Sequence, residues 1–176
     1  MLTIRMNESA AAALQPLGST AALPAAEMHD ELRDKVSRGV VESEGALVFA
    51  AHHGSDSPTA ALARMGWPDL THYECQVNSF HLEDYAPVEV ALLEDGQPQI
   101  SDADQVTLLR LGLAVADAVR NRVRAHASRT PIRCIISAND TNGVFRFHRI
   151  RSGEQWGVLN LDQYQWEMAV IVDDRP

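Results

Sequence analysis

The stretch Ser137–Arg151, "SANDTNGVFRFHRIR", decides the fold. It opens on a turn-forming cluster in which the Asn142-Gly143 pair marks a reversal of direction. In an extended segment from 144 to 151, Phe145 and Phe147 share one face, while Arg146 and His148 share the other. The run before it, "IRCIIS" (132–137), and a later one, "WEMAVIVD" (166–173), are likewise rich in the branched residues that suit strands. Three antiparallel strands in a C-terminal meander follow. The two phenylalanines enter a core, and Arg149 and Arg151 emerge near the strand end. Arg146 and His148 occupy an open face, where a cross-strand acid such as Glu167 neutralises one of them.

The segment just before this meander is a long helix at about 103–127. Ser101 or Asp102 caps it, and Val106, Leu109, Leu113, Ala116, Val119 and Val123 form its apolar stripe. Arg120, Arg122, Arg124 and His126 suit the negative end of its dipole. Shorter helices are expected at Glu8–Leu14, from Pro24 to about Arg38, and from a Ser57 cap to about Met65. Residues 1–6 and 46–50 read as short strands. From Thr71 to Leu82, Tyr73, Cys75 and Val77 alternate with His72, Glu74 and Gln76, the pattern of a half-buried strand. Val88, Val90 and Leu92 alternate in the same way and end at an Asp95-Gly96 turn. The expectation is one α+β domain over residues 1–176: an antiparallel sheet, one long helix and shorter N-terminal helices packed on it.

The chain has 176 residues, of which 45% are apolar and 22% charged, enough for a core that needs no disulfide. Cys75 and Cys134 sit in apolar runs and read as buried free thiols. The net charge of -9 is unevenly spread: residues 1–104 hold 17 acids and 5 bases, and the remainder 7 and 10. No lysine or arginine falls between Arg64 and Arg110. Such an acidic stretch repels phosphates, so nucleic acid is excluded as its partner; a basic protein surface fits it. The N-terminus lacks a basic region followed by a continuous apolar one, and no run approaches the ~20 apolar residues of a membrane span. The reading is a cytoplasmic protein with no membrane partner.

Catalytic patterns are sparse. His52, His53 and Asp56 form the best metal-type constellation, with His72, Glu74 or His81 as further donors, but no zinc or metalloprotease spacing accompanies them. They support a metal-dependent hydrolase as one alternative. Arg146, His148 and Arg149 support another, a small anion-binding module. No nucleophile elbow, Walker loop or dinucleotide fingerprint occurs, and the leading reading is a non-enzymatic protein without a cofactor.

The layout "CIISANDTNGVFRFHRIRSGEQW" (134–156) followed by "LDQY" (161–164) resembles the C-terminal region of bacterial immunity proteins of contact-dependent inhibition and other polymorphic toxin systems. The residues that carry the resemblance are the Ser137–Asn142 turn, the Phe145–Arg151 strand, Gly153, Glu154 and Trp156, and Asp162 with Tyr164. "NSFHLEDY" (78–85) adds to it. The resemblance implies a protein that binds the C-terminal domain of a cognate toxin and blocks it. A basic nuclease cleft would meet an acidic surface between Trp67 and Asp104. Trp67, Phe80 and Tyr85 are the expected aromatic anchors, ringed by Asp69, Glu74, Glu83, Asp84, Glu94 and Asp95.

Overall fold

A computed structural model describes residues 1–52, 57–126, 129–158 and 160–176. Among the described residues, five α-helices and nine strands follow the chain in order: β1 (Leu2–Met6), α1 (Glu8–Leu14), α2 (Asp30–Ser37), β2 (Val40–Ser43), β3 (Ala46–Phe49), α3 (Pro58–Met65), α4 (Leu70–Val77), β4 (Phe80–His81), β5 (Val90–Leu92), β6 (Pro98–Ile100), α5 (Asp102–His126), β7 (Ile132–Ala138), β8 (Gly143–Arg149) and β9 (Met168–Asp174). The class is α+β, with one antiparallel sheet in the order β1-β9-β7-β8-β4 and two separate hairpins, β2-β3 and β5-β6. β7 and β8 form the expected hairpin, closed by Asn139, whose Oδ1 accepts from the amides of Thr141 and Asn142. β9 returns to the far side of β7 instead of following β8, so the last three strands do not run side by side in chain order. The described residues on the way back, Trp156, Leu161 and Tyr164 among them, lie against one face of the sheet at Ile135, Arg146 and Ile171.

α5 lies on the other face. Leu108, Leu111, Val115, Val119 and Val123 are buried in one core with Ile132, Cys134, Ile136, Phe145, Phe147, Val170 and Val172. Gly112 marks the closest approach: a Cβ there would collide with the Ile136 side chain. α2 adds Leu32 and Val36 from the opposite side, so α5 is buried over more than the single stripe read from the sequence. At its end, Arg120 and Arg124 both reach Asp174 of β9, at 3.3 and 2.8 Å.

Of the Thr71–Leu82 segment expected as a strand, residues up to Val77 belong to the helix α4, and only Phe80–His81 is a strand. Asp69 caps α4 by accepting from the His72 amide at 2.9 Å. Its inward residues are Thr71, Glu74, Cys75 and Asn78, spaced i, i+3, i+4, i+7. That stripe is largely polar, so the apolar alternation of Tyr73, Cys75 and Val77 pointed to the wrong period. β2 was not anticipated either. It pairs with β3 through a turn in which Glu44 and Gly45 both have positive φ, 49° and 79°, the backbone of a tight two-residue hairpin.

Candidate functional site

The basic residues of the Ser137–Arg151 stretch each meet a different environment. Phe145 and Phe147 are buried in the core, as expected. The face of β8 carrying Arg146 and His148 is covered, not open. His148 is only 2% exposed; its Nδ1 donates to the Arg149 carbonyl at 2.8 Å, and its Nε2 has no partner among the described residues. Burial lowers its pKa to about 4, with the nearby guanidinium groups of Arg133 and Arg151 pulling the same way. Arg149 reaches Glu42 of β2 at 3.2 Å. Arg151 forms a two-pronged bridge to Glu74, at 2.6 and 2.9 Å, and donates to the Gly45 carbonyl. The three residues Arg146, His148 and Arg149 therefore do not form one anion site.

Glu74 and Asn78 work together as a substitute strand. Glu74 accepts from the backbone amides of Leu47 on β3 and Arg149 on β8, at 2.5 and 2.7 Å. Asn78 accepts from the Phe49 amide and donates to the carbonyls of Leu47 and Phe147. The side chains of α4 thus fill the gap between the β2-β3 hairpin and the sheet, and they satisfy buried backbone groups on both sides. Burial pushes the Glu74 carboxyl above its ordinary range, opposed by Arg151 and the two amides.

This assignment removes Glu74, which is fully buried, from the expected acidic surface, and Phe80 with it, since Phe80 packs in the main core against Phe49 and Phe145. Glu83 is engaged inside the fold. Its Oε2 accepts from the Gly143 amide at 2.8 Å, and His81 sits on its other oxygen. Asp69 is the cap of α4 and pairs with His72. Trp67 is half-buried against Tyr73, and Tyr85 half-buried against Phe80. Asp84, Glu94 and Asp95 are exposed.

The exposed acids continue onto the β5-β6 hairpin. Val90, Leu92 and Leu93 project there at 41%, 75% and 45% exposure, beside Glu89, Glu94 and Asp95. One side of this hairpin forms an open groove lined by Glu89, Asp102, Asp104 and Asp140. The Ile100 amide donates to the Asp140 carbonyl at 2.7 Å, so the hairpin is tied to the turn of the Ser137–Arg151 stretch. Sequence reasoning named Glu94 and Asp95 but missed Leu92 and Leu93, whose exposure depends on the hairpin standing apart from the main sheet.

On the sheet face opposite α5, Ile135, Ser137, Arg146 and Ile171 form the floor of a small cleft. Trp156, Leu161 and Tyr164 from the crossing segment wall it, with Glu167. The Arg146 guanidinium lies over the Trp156 ring, 5.2 Å from its centroid, and His72 meets the same ring edge-on at 5.1 Å. Asn7 holds the crossing segment in place: it donates to the carbonyls of Tyr164 and Glu167 and accepts from the Ala169 amide. Asn7 also caps α1 by accepting from the Ala10 amide at 3.1 Å, a local role the sequence could have shown, whereas its partners in the crossing segment lie more than 150 positions away.

The uncharacterized protein PM0498 family matches residues 6–175. The chain belongs to that family. No curated protein and no solved structure matches it. The span matched in the PM0498 family takes in the polar seam, the acidic hairpin and the Arg146 cleft together.

Of the metal-type constellation, His53 and Asp56 lie outside the described residues. His52 packs edge-on to Phe49. Among the described residues, no group of three histidines, cysteines or acids is placed to hold a metal ion. Cys75 and Cys134 are buried free thiols, and burial pushes both thiols up, away from the reactive thiolate form. No helix among the described residues is long and apolar enough to cross a membrane.

Proposed function

We propose that this protein is a non-enzymatic binding protein of the immunity type, which neutralises a basic toxin domain of the nuclease class by covering its active site. The observation that carries the reading is the β5-β6 hairpin, which presents Val90, Leu92 and Leu93 to solvent among Glu89, Glu94 and Asp95. Exposed apolar side chains supply the desolvated centre that an interface needs, and the surrounding acids supply steering toward a basic cleft. The resemblance of residues 134–164 to immunity proteins supports the same role, in a cytoplasmic setting and without a cofactor. The acidic groove beside the hairpin extends the complementary field.

Co-expression with the C-terminal toxin domain of a large secreted protein encoded beside this chain tests the reading. An equimolar complex on gel filtration and loss of the domain's toxicity are expected. Charge reversal of Glu89, Glu94 and Asp95 slows association by about tenfold at low salt, and Leu92→Asp weakens the complex at all salt concentrations. A toxin domain that stays free and active in the presence of the protein overturns the reading for that pair. Unchanged affinity and salt dependence in these variants remove the hairpin from the interface.

A further inference from the structure

We propose that the cleft between Arg146 and Glu167 binds the head group of a small α-amino acid, independently of the acidic hairpin. Arg146 is half-buried and stacked on Trp156, yet its guanidinium has no hydrogen-bond acceptor among the described residues. By contrast, Arg133 is bonded to Asp173, and Arg151 to Glu74. Glu167 lines the same cleft and attracts Arg146, but no ion pair within 4.0 Å joins them. Two opposite charges therefore line one cavity of about 60 Å³ without pairing. A guanidinium whose plane is fixed by a tryptophan is prepared for two-pronged contact with a carboxylate. A carboxylate opposite it calls for an ammonium. A plain anion would satisfy Arg146 and be repelled by Glu167, and a plain cation the reverse. An α-amino acid carries both charges on adjacent carbons and spans the gap.

At roughly 30 Å³ per water, the cleft of about 60 Å³ holds about two waters, so it takes the charged atoms of the head group and the rest of the ligand emerges. Ile135, Leu161 and Ile171 provide an apolar floor and wall, and exposed Val158 lies at the cleft as well.

The test uses the full chain with Trp67→Phe and Trp166→Phe, which leaves Trp156 the only one of three tryptophans and a reporter of Arg146. Glycine and L-alanine are titrated beside propionate, ethylamine and phosphate. Saturable Trp156 fluorescence change and a raised melting temperature are expected with the two amino acids, with propionate, ethylamine and phosphate at least about tenfold weaker. Glu167→Gln and Arg146→Lys each raise the dissociation constant for alanine by about tenfold or more, while the ligand-free melting temperature stays near that of the parent. No saturable response up to about 50 mM amino acid overturns the proposal, as does propionate or phosphate binding as tightly as alanine. Binding that survives both Arg146→Lys and Glu167→Gln overturns it equally.

Discussion

His148 is neutral inside the fold because burial leaves no water to stabilise its charged form and Arg133 and Arg151 oppose it, which outweighs the favourable Arg149 carbonyl and Asp173. Its folded value of about 4 lies below the ordinary 6.5. The unfolded chain therefore binds the extra proton first, and stability falls as pH drops from about 6.5 toward 4. The full effect is about 3 kcal/mol. Urea unfolding at pH 7 and pH 4.5 measures it, and His148→Gln flattens the difference by most of that amount. Asp69 and Asp174, whose carboxyls are held low by His72 and by Arg120 and Arg124 against the desolvation that opposes them, add loss only at lower pH. Arg149 and Arg151 show what a residue-level reading of the strand misses. Their charges are paired with Glu42 and Glu74, which lie 107 and 77 positions away, and no local pattern records such distances.

At the scale of elements, α4 is where sequence and structure part. α5, β7 and β8 are legible because their buried residues are the apolar ones, so periodicity and burial coincide. In α4 the buried stripe includes Thr71, Glu74 and Asn78, and the signal of a helix is carried by the Asp69 cap instead. The polar stripe exists because β3 and β8 each leave backbone groups that no strand pairs. Glu74→Ala removes four hydrogen bonds and leaves Arg151 with only the more distant Glu154, at 3.8 Å, as its acid among the described residues, which costs about 3–5 kcal/mol in chemical unfolding. Replacing Glu74 and Arg151 together, with Gln and Met, costs less than Glu74→Ala alone, since no unpaired charge is left buried. A double-mutant cycle reads the difference. The candidate surface follows the same logic: exposed Glu94 and Asp95 were legible from a turn signal, whereas Glu74 and Glu83 were absorbed by backbone amides that only the fold brings to them.

Across the whole molecule, β1 pairs with β9, so the first and last strands lie side by side at one border of the main sheet. The two faces differ in kind. One is an apolar layer under α5; the other carries the polar ladder Asp173–Arg133–His148, the Arg146 cleft and the crossing segment. The spacing of the first layer depends on Gly112, where α5 approaches Ile136. Gly112→Val overpacks that contact and lowers stability by about 1–3 kcal/mol, with a matching fall in melting temperature. The acidic hairpin lies outside both layers. Charge reversal there should leave melting temperature within a degree or two of the parent, as expected for surface positions worth about 0.5 kcal/mol or less.

The seam built by Glu74, Asn78 and Glu83 has one further effect. Along β8, the Gly143 amide is taken by Glu83, residues 144 and 145 by β4, the Phe147 carbonyl by Asn78 and the Arg149 amide by Glu74. That border is closed to templating: an extended segment from another chain would have to displace side chains already bonded there before it could add a rung. The opposite border of the sheet is β1, where Leu2 and Ile4 stand exposed and a foreign strand meets no such seam of side chains among those named.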